Sequence, residues 1–164
     1  MNLKISLIIL VIIQLCNIEA FAQTLTTGSS CKQRVLQAWE LLAQDGKYEE
    51  AIVELQKQID LSNKKFKYRD YWHLGQLYAY KNDYTTAIFY LKKSTNLFDQ
   101  LFDKQWRFYY KGTIAFLERD KAKLLKYHEK MQKQNSAYYE GNANTLKSLY
   151  ENFDKQYFEA YSLK

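Results

Sequence analysis

The chain has no proline, only five glycines, two cysteines and two histidines in 164 residues. Without proline nothing forces a helix to kink or stop, and five scattered glycines offer no Gly-rich phosphate loop. Cys16 lies inside the apolar N-terminal segment. Once that segment is removed only Cys31 remains, so no intramolecular disulfide can form and packing alone has to hold the fold. His73 and His128 are far apart, and neither has a partner at the spacing zinc sites use. No serine sits in a nucleophile-elbow motif. Glu49 and Glu50 are adjacent and cannot face each other across a substrate. These absences point away from an enzyme and predict neither a metal nor a cofactor.

The N-terminus is laid out as an address. Lys4 supplies a positive start, Leu7 to Ile13 an apolar run, and Ala20-Phe21-Ala22 a small-x-small cleavage site. Residues 1–22 are therefore expected to be a secretory signal peptide, with Gln23 as the mature N-terminus. An uncleaved anchor is the alternative, but Ile5 to Leu15 is broken at Gln14 and falls short of the ~20 residues of a membrane span. A lipoprotein signal would need a small residue before Cys16, where Leu15 stands. The address implies export, to the periplasm or cell envelope or beyond it as a secreted protein. No later apolar run is long enough to span a membrane. The formal charge of +6 favours acidic partners and does not identify nucleic acid, which the exported address also argues against.

What is abundant is aromatic: 15 Tyr and 9 Phe, which suits helices packed through large side chains. After a polar leader at 23–31, helical periodicity begins near Lys32. Val35, Ala38, Trp39 and Leu42 share a face that ends at Asp45-Gly46, and Tyr48, Ala51, Ile52, Leu55 and Ile59 form the next. Ser62 to Lys65 reads as a connection. Tyr71, Leu74 and Tyr78 precede a turn at Lys81-Asn82-Asp83, whose side chains can cap the following helix of Tyr84, Ala87, Ile88 and Leu91. A third pair runs from Trp106, Tyr109, Tyr110 and Thr113 through Glu118-Arg119-Asp120 to Ala122, Leu125 and Met131. Beyond Gly141-Asn142, the residues Leu146, Leu149, Tyr150, Phe153, Tyr157 and Tyr161 recur at steps of three and four. They predict one amphipathic helix, either a cap on the stack or a docking surface.

The series Tyr71, Leu74, Gly75, Tyr78, Ala87, Leu91 and Ser94 alternates bulky and small residues across two helices. In this it resembles the tetratricopeptide repeat, a helix-turn-helix unit whose stacked copies make a groove for other proteins. The flanking units are degenerate. In the first, Trp39 stands where the family has a small residue. In the third, Tyr110 does so and Thr113 replaces the tyrosine. The anchor alanines Ala51, Ala87 and Ala122 are 36 and 35 apart, against about 34 in the family. The resemblance implies an all-α fold of about six or seven helices. It would stack antiparallel hairpins over 32–134 as a short right-handed solenoid, with a C-terminal capping helix in 135–164.

The resemblance also implies which residues line the concave surface. These are Arg69, Trp72, Gln76, Ala79 and Tyr80 in the middle unit, and Lys104, Arg107, Lys111, Ile114 and Ala115 in the third. In the first they are Gln33, Leu36, Glu40, Ala43 and Gln44. Arg69, Lys104, Arg107 and Lys111 beside Trp72 and Tyr80 would make a basic, aromatic lane suited to an acidic peptide or a terminal carboxylate. The plainer alternative is that these charges only solvate a helix face, as the Lys121, Lys123, Lys126, Lys130, Lys133 series does. The expected function is noncatalytic binding of a protein or peptide partner in the groove, as an envelope scaffold or adaptor. Its rival is a self-associating module, a homo-oligomer docked through the aromatic C-terminal helix.

Overall fold

Three hairpins are closed by one backbone device. The first helix of each ends on a residue of positive φ: Gly46 at 74°, Asn82 at 64° and Arg119 at 58°. The amide of that residue bonds to the carbonyl three positions back, and the next amide to the carbonyl five back. Thus Gly46 donates to Ala43 and Lys47 to Leu42, Asn82 to Ala79 and Asp83 to Tyr78, Arg119 to Phe116 and Asp120 to Ala115. This pair of bonds satisfies carbonyls that a helix end otherwise leaves open. Asp83 and Asp120 then start the following helices, their carboxylates accepting from the amides of Thr86 at 3.1 Å and Lys123 at 2.9 Å.

The computed structural model describes residues 35–65, 67–134 and 136–163. The expected signal peptide 1–22, the leader 23–31, both cysteines and Gln33 lie outside the described residues. The chain divides into two units, Met1–Val35 and Leu36–Lys164. Nine α-helices and no strand occur among the described residues, all in the second unit. They are α1 (Ala38–Gln44), α2 (Tyr48–Leu61), α3 (Tyr68–Tyr80), α4 (Tyr84–Lys93), α5 (Leu97–Phe102), α6 (Lys104–Leu117), α7 (Lys121–Gln132), α8 (Glu140–Glu151) and α9 (Tyr157–Ser162). A single 3-10 turn, Ala137–Tyr139, precedes α8. The pairs α1–α2, α3–α4 and α6–α7 pack as hairpins, and each hairpin packs on the next. The result is the expected all-α, tetratricopeptide-like helical solenoid.

Helix α3 belongs to both halves of the core. Its Leu74 and Leu77 join Trp39, Ile52, Leu55 and Ile59, while its Trp72 and Ala79 join Leu91, Tyr109, Phe116, Leu146 and Tyr157. Leu55, Leu74, Leu91 and Leu146 are all fully buried, each contributing about 1.5–3 kcal/mol relative to exposure. The helices come closest at two glycines. A Cβ on Gly75 would sit 2.8 Å from Leu91 Cγ and 3.1 Å from the Ala87 carbonyl oxygen, and one on Gly112 would sit 2.7 Å from Leu146 Cδ1.

Two expectations need correction. The third hairpin is shifted by two residues from its expected register. Counting back seven from the positive-φ residue gives Gly75 in the middle unit and Gly112 in the third, so the small slot belongs to Gly112 and not to Tyr110. Counting on four from the capping aspartate gives Ala87 and Leu124. Leu124 is fully buried, whereas Ala122 is exposed. The unexpected helix α5 lies between the second and third hairpins, carrying exposed Phe98, Leu101 and Phe102.

The C-terminal segment is also not one helix. α8 stops at Glu151 and α9 begins at Tyr157. The Asn152 side-chain amide donates to the Ser148 carbonyl at 3.0 Å, and Ser148 Oγ donates to the Ala160 carbonyl at 2.6 Å. Those bonds favour a turn over continued helix and draw α9 back on α8.

Gly75→Ala is expected to cost about 1–3 kcal/mol through overpacking. Gly112→Ala should cost less, because it meets only the tip of a leucine whereas Gly75 also faces backbone. Urea unfolding of both variants checks the order. His128 of α7 is buried against the Tyr150 ring, and neither ring nitrogen has a hydrogen-bond partner among the described residues. Burial pushes its pKa down, against the upward pull of Glu151 and Glu129. The stability this neutral imidazole contributes is complete above the unfolded value of about 6.5 and declines as pH falls through the folded one. Thermal unfolding should therefore move to lower temperature between pH 7.5 and pH 5, and less so in His128→Leu.

Candidate functional site

The register of the turns decides which side chains face the concave surface. In the middle hairpin the register assigns these places to Arg69, Trp72, Gln76, Ala79 and Tyr80. With the two-residue shift, the matching residues of α6 are Trp106, Tyr109, Thr113, Phe116 and Leu117. The aromatic ones converge: Trp72 lies 4.7 Å from Trp106 and 5.4 Å from Tyr109, ring centre to ring centre, and Trp106 lies 5.8 Å from Tyr109. Tilted rings at such distances hold one another through their quadrupoles as well as by area.

These rings wall an open cavity of about 510 Å³. Its polar lining is Arg69, His73, Gln76, Ser94 and Asn142, and Tyr68 and Tyr161 complete it. No carboxylate lines it, and among the described residues no salt bridge pairs the exposed Arg69 with an acid. A second cavity of about 460 Å³ adjoins it, sharing His73, Gln76 and Tyr161 and adding Trp39, Glu40, Tyr48, Tyr80 and Phe158. His73, Gln76 and Tyr161 thus form the boundary between them. A further cavity of about 590 Å³ lies elsewhere, beside Met131, Tyr139 and Glu140, and shares no residue with the groove.

The electrostatics of the groove are those of a largely aromatic surface. Burial lowers the His73 pKa, helped by the nearby Arg69 charge and opposed by a hydrogen bond with Gln76, so the imidazole is neutral at pH 7. Burial also raises the phenol pKa of Tyr80 and of Tyr109, with Tyr161 adding to both. Such groups offer apolar area and neutral hydrogen bonds, and Arg69 adds the charge. Among the described residues no cluster of three His, Cys, Asp or Glu side chains could hold a metal. No described helix is long and apolar enough to cross a membrane.

Of the residues expected to line the groove, Arg69, Trp72 and Gln76 come together in the larger cavity and Tyr80 lines the smaller. Lys104, Arg107 and Lys111 line neither. Lys104 is exposed at the start of α6. The Arg107 guanidinium donates to the Gln100 carbonyl at 2.8 Å and lies over the Phe108 ring at 5.5 Å. Lys111 stands two residues from the nearest groove places, Tyr109 and Thr113, level with the core residue Leu74. The physical reason is the shift: matching alanines put these cations where Trp106, Tyr109 and Thr113 belong. Aligning Asn82-Asp83 with Arg119-Asp120 would have found both Trp106 and Tyr109. Nothing local in the sequence announces Tyr161, which reaches the site only because the chain reverses after α8.

A family profile described as Tetratricopeptide repeat matches residues 71–100. No curated protein and no solved structure matches the chain. The matched segment covers most of α3 and all of α4, and holds Trp72, Gln76 and Tyr80 of the groove. The repeat is a protein-interaction module, and its small-residue slot is Gly75, the point of closest helix approach. The chain thus carries a tetratricopeptide repeat at residues 71–100, set within a tetratricopeptide-like helical solenoid.

Proposed function

We propose that the chain is a noncatalytic binding module that holds a protein or peptide partner in its concave groove, acting as a scaffold or adaptor outside the cytoplasm. The observation that carries this is the cavity of about 510 Å³, walled by Trp72, Trp106 and Tyr109, with the exposed Arg69 and no carboxylate in its lining. Rigid aromatic walls give contact area at low entropic cost, and an arginine fork pairs with carboxylates in two-pronged fashion. A partner segment with apolar side chains next to an acidic group fits this lining. The N-terminal address at 1–22 supports export to the periplasm, the cell envelope or the medium.

The rival reading, self-association through the aromatic C-terminal helix, has to compete with burial already made within one chain. Leu146, Leu149, Phe153 and Tyr157 are all buried there. A second copy would have to draw them out.

Affinity capture from an envelope extract tests the proposal, using wild type, Arg69→Glu and Arg107→Ala. The partner should be retained by wild type and by Arg107→Ala, and lost by Arg69→Glu by about tenfold or more at low salt, since reversal of one charge near a paired carboxylate costs more than 1.4 kcal/mol. Retention by Arg69→Glu would place the site outside this cavity. Capture of the chain alone would favour self-association.

A further inference from the structure

The middle of the groove is filled by the chain's own last helix. Tyr157 is fully buried, with ring centres of Tyr80 and Phe116 each 5.7 Å away. Tyr161 meets Tyr80 at 5.7 Å, and Phe158 covers Tyr80 and Tyr48 at 5.4 and 5.8 Å. The start of α9 is held by the turns of the second and third hairpins. The Tyr157 amide donates to the Tyr84 hydroxyl at 3.0 Å, the Asn82 side chain donates to Gln156 at 3.0 Å, and Arg119 donates to the Lys155 carbonyl at 3.3 Å. Tyr80 and Phe116 are places that the turns assign to the concave face. The covalent link back to α8 is residues 152–156 alone.

We infer that α9 is a resident ligand of the groove, which a partner entering its centre must displace, and that such a partner is a short helix of the α9 pattern. That pattern is an aromatic residue at each of two positions four apart, Tyr157 and Tyr161, with a small residue, Ala160, before the second. The inference rests on the groove being the binding surface proposed above and adds its regulation and the chemistry of its partner. Because α9 is tethered, it re-engages at an effective concentration in the millimolar range. Segments lacking the aromatic pair cannot compete at that concentration, so the resident helix filters partners. The two flanking cavities stay open while α9 is docked, and both are walled by Tyr161. A partner seated in either one touches the resident helix directly.

The test uses the full chain and, as probe, a fluorescent synthetic peptide of residues 152–164. Binding is read by anisotropy in wild type and Tyr157→Ala, with amide exchange of 157–162 followed in each. The Tyr157→Ala chain should bind the peptide at least about tenfold more tightly than wild type, because its own helix competes poorly. A peptide carrying Tyr157→Ala and Tyr161→Ala should bind neither chain. Should Tyr157→Ala not fold, Phe158→Ala takes its place; it trims a half-exposed ring of α9 and leaves every residue that receives the peptide intact. A folded variant with faster exchange at 157–162 and no gain in peptide affinity overturns the inference. So does exchange at 157–162 that tracks α8 in every variant, since α9 would then be core. The probe is the chain's own segment, so this result is independent of the capture by Arg69 variants, and either reading can fail alone.

Discussion

Everything in this molecule hangs on a single residue of left-handed backbone at the end of the first helix of each hairpin. Gly46, Asn82 and Arg119 share that conformation and the same two return bonds. The geometry reverses the chain within a few residues, which makes successive helices antiparallel neighbours and fixes their relative rotation. Rotation decides which side chains meet between helices and which face the groove. Glycine takes this conformation freely, and asparagine is the commonest substitute. Arginine is not, and what compensates Arg119 is visible: its guanidinium lies 4.4 Å from the centre of the Phe153 ring and donates to the Lys155 carbonyl. The turn residue of the third hairpin is thereby tied to the chain reversal that sends α9 into the groove.

A stack of hairpins with a concave side leaves apolar surface uncovered, and this chain covers part of its own. Tyr157 enters between Tyr80 and Phe116, and Tyr161 and Phe158 extend the cover toward α1 and α2. Aromatic side chains suit this work because they bury large areas with few rotatable bonds, and their hydroxyls reach polar partners at the margin. Tyr84 shows both properties: its hydroxyl accepts the first amide of α9 and donates to Asn82, the turn residue beside it. Turn, groove and terminal helix are thus one hydrogen-bonded assembly. What remains open is aromatic and cationic, with Trp72, Trp106 and Tyr109 on the walls and Arg69 beside them. Helix α5 holds Phe98, Leu101 and Phe102 exposed as well, with the Phe98 and Phe102 rings packed on each other.

The middle hairpin was legible because every slot in it is filled by the residue type the geometry demands. Gly75 permits the approach of Leu91, Ala87 sits beneath it, and Asn82-Asp83 spells both the turn and the cap. The third hairpin obeys the same geometry with different residues. Leu124 replaces the alanine, Arg119 the asparagine and Trp106 the arginine, so a match on residue types settles two positions away from the true register. In a helix two positions are 200° of rotation, enough to exchange buried and exposed faces. That rotation moves Lys104, Arg107 and Lys111 off the register places of the concave side, while the register of the middle hairpin, and with it the places of Arg69, Trp72, Gln76 and Tyr80, is unchanged.

Apolar periodicity, the absence of proline and the turn residues determined by themselves that the chain is helical, where its hairpins reverse and which faces of α2 to α4 are buried. These depend on contacts within a few residues, and local sequence encodes them. On α1, of the expected face, Val35 and Ala38 are exposed and only Trp39 is buried. Only the tertiary structure decided that the C-terminal aromatics belong to two helices, that Tyr157 and Tyr161 lie in the groove and that the groove is divided into two cavities. The periodicity from Leu146 to Tyr161 is compatible with one straight helix. The break at Asn152, turned by the bonds of Ser148, is held open by partners 36 to 74 residues away: the Lys155 carbonyl on Arg119, the Tyr157 amide on the Tyr84 hydroxyl and Gln156 on Asn82. Contacts between residues so distant in the chain leave no periodic mark on either segment, so only folding brings them together.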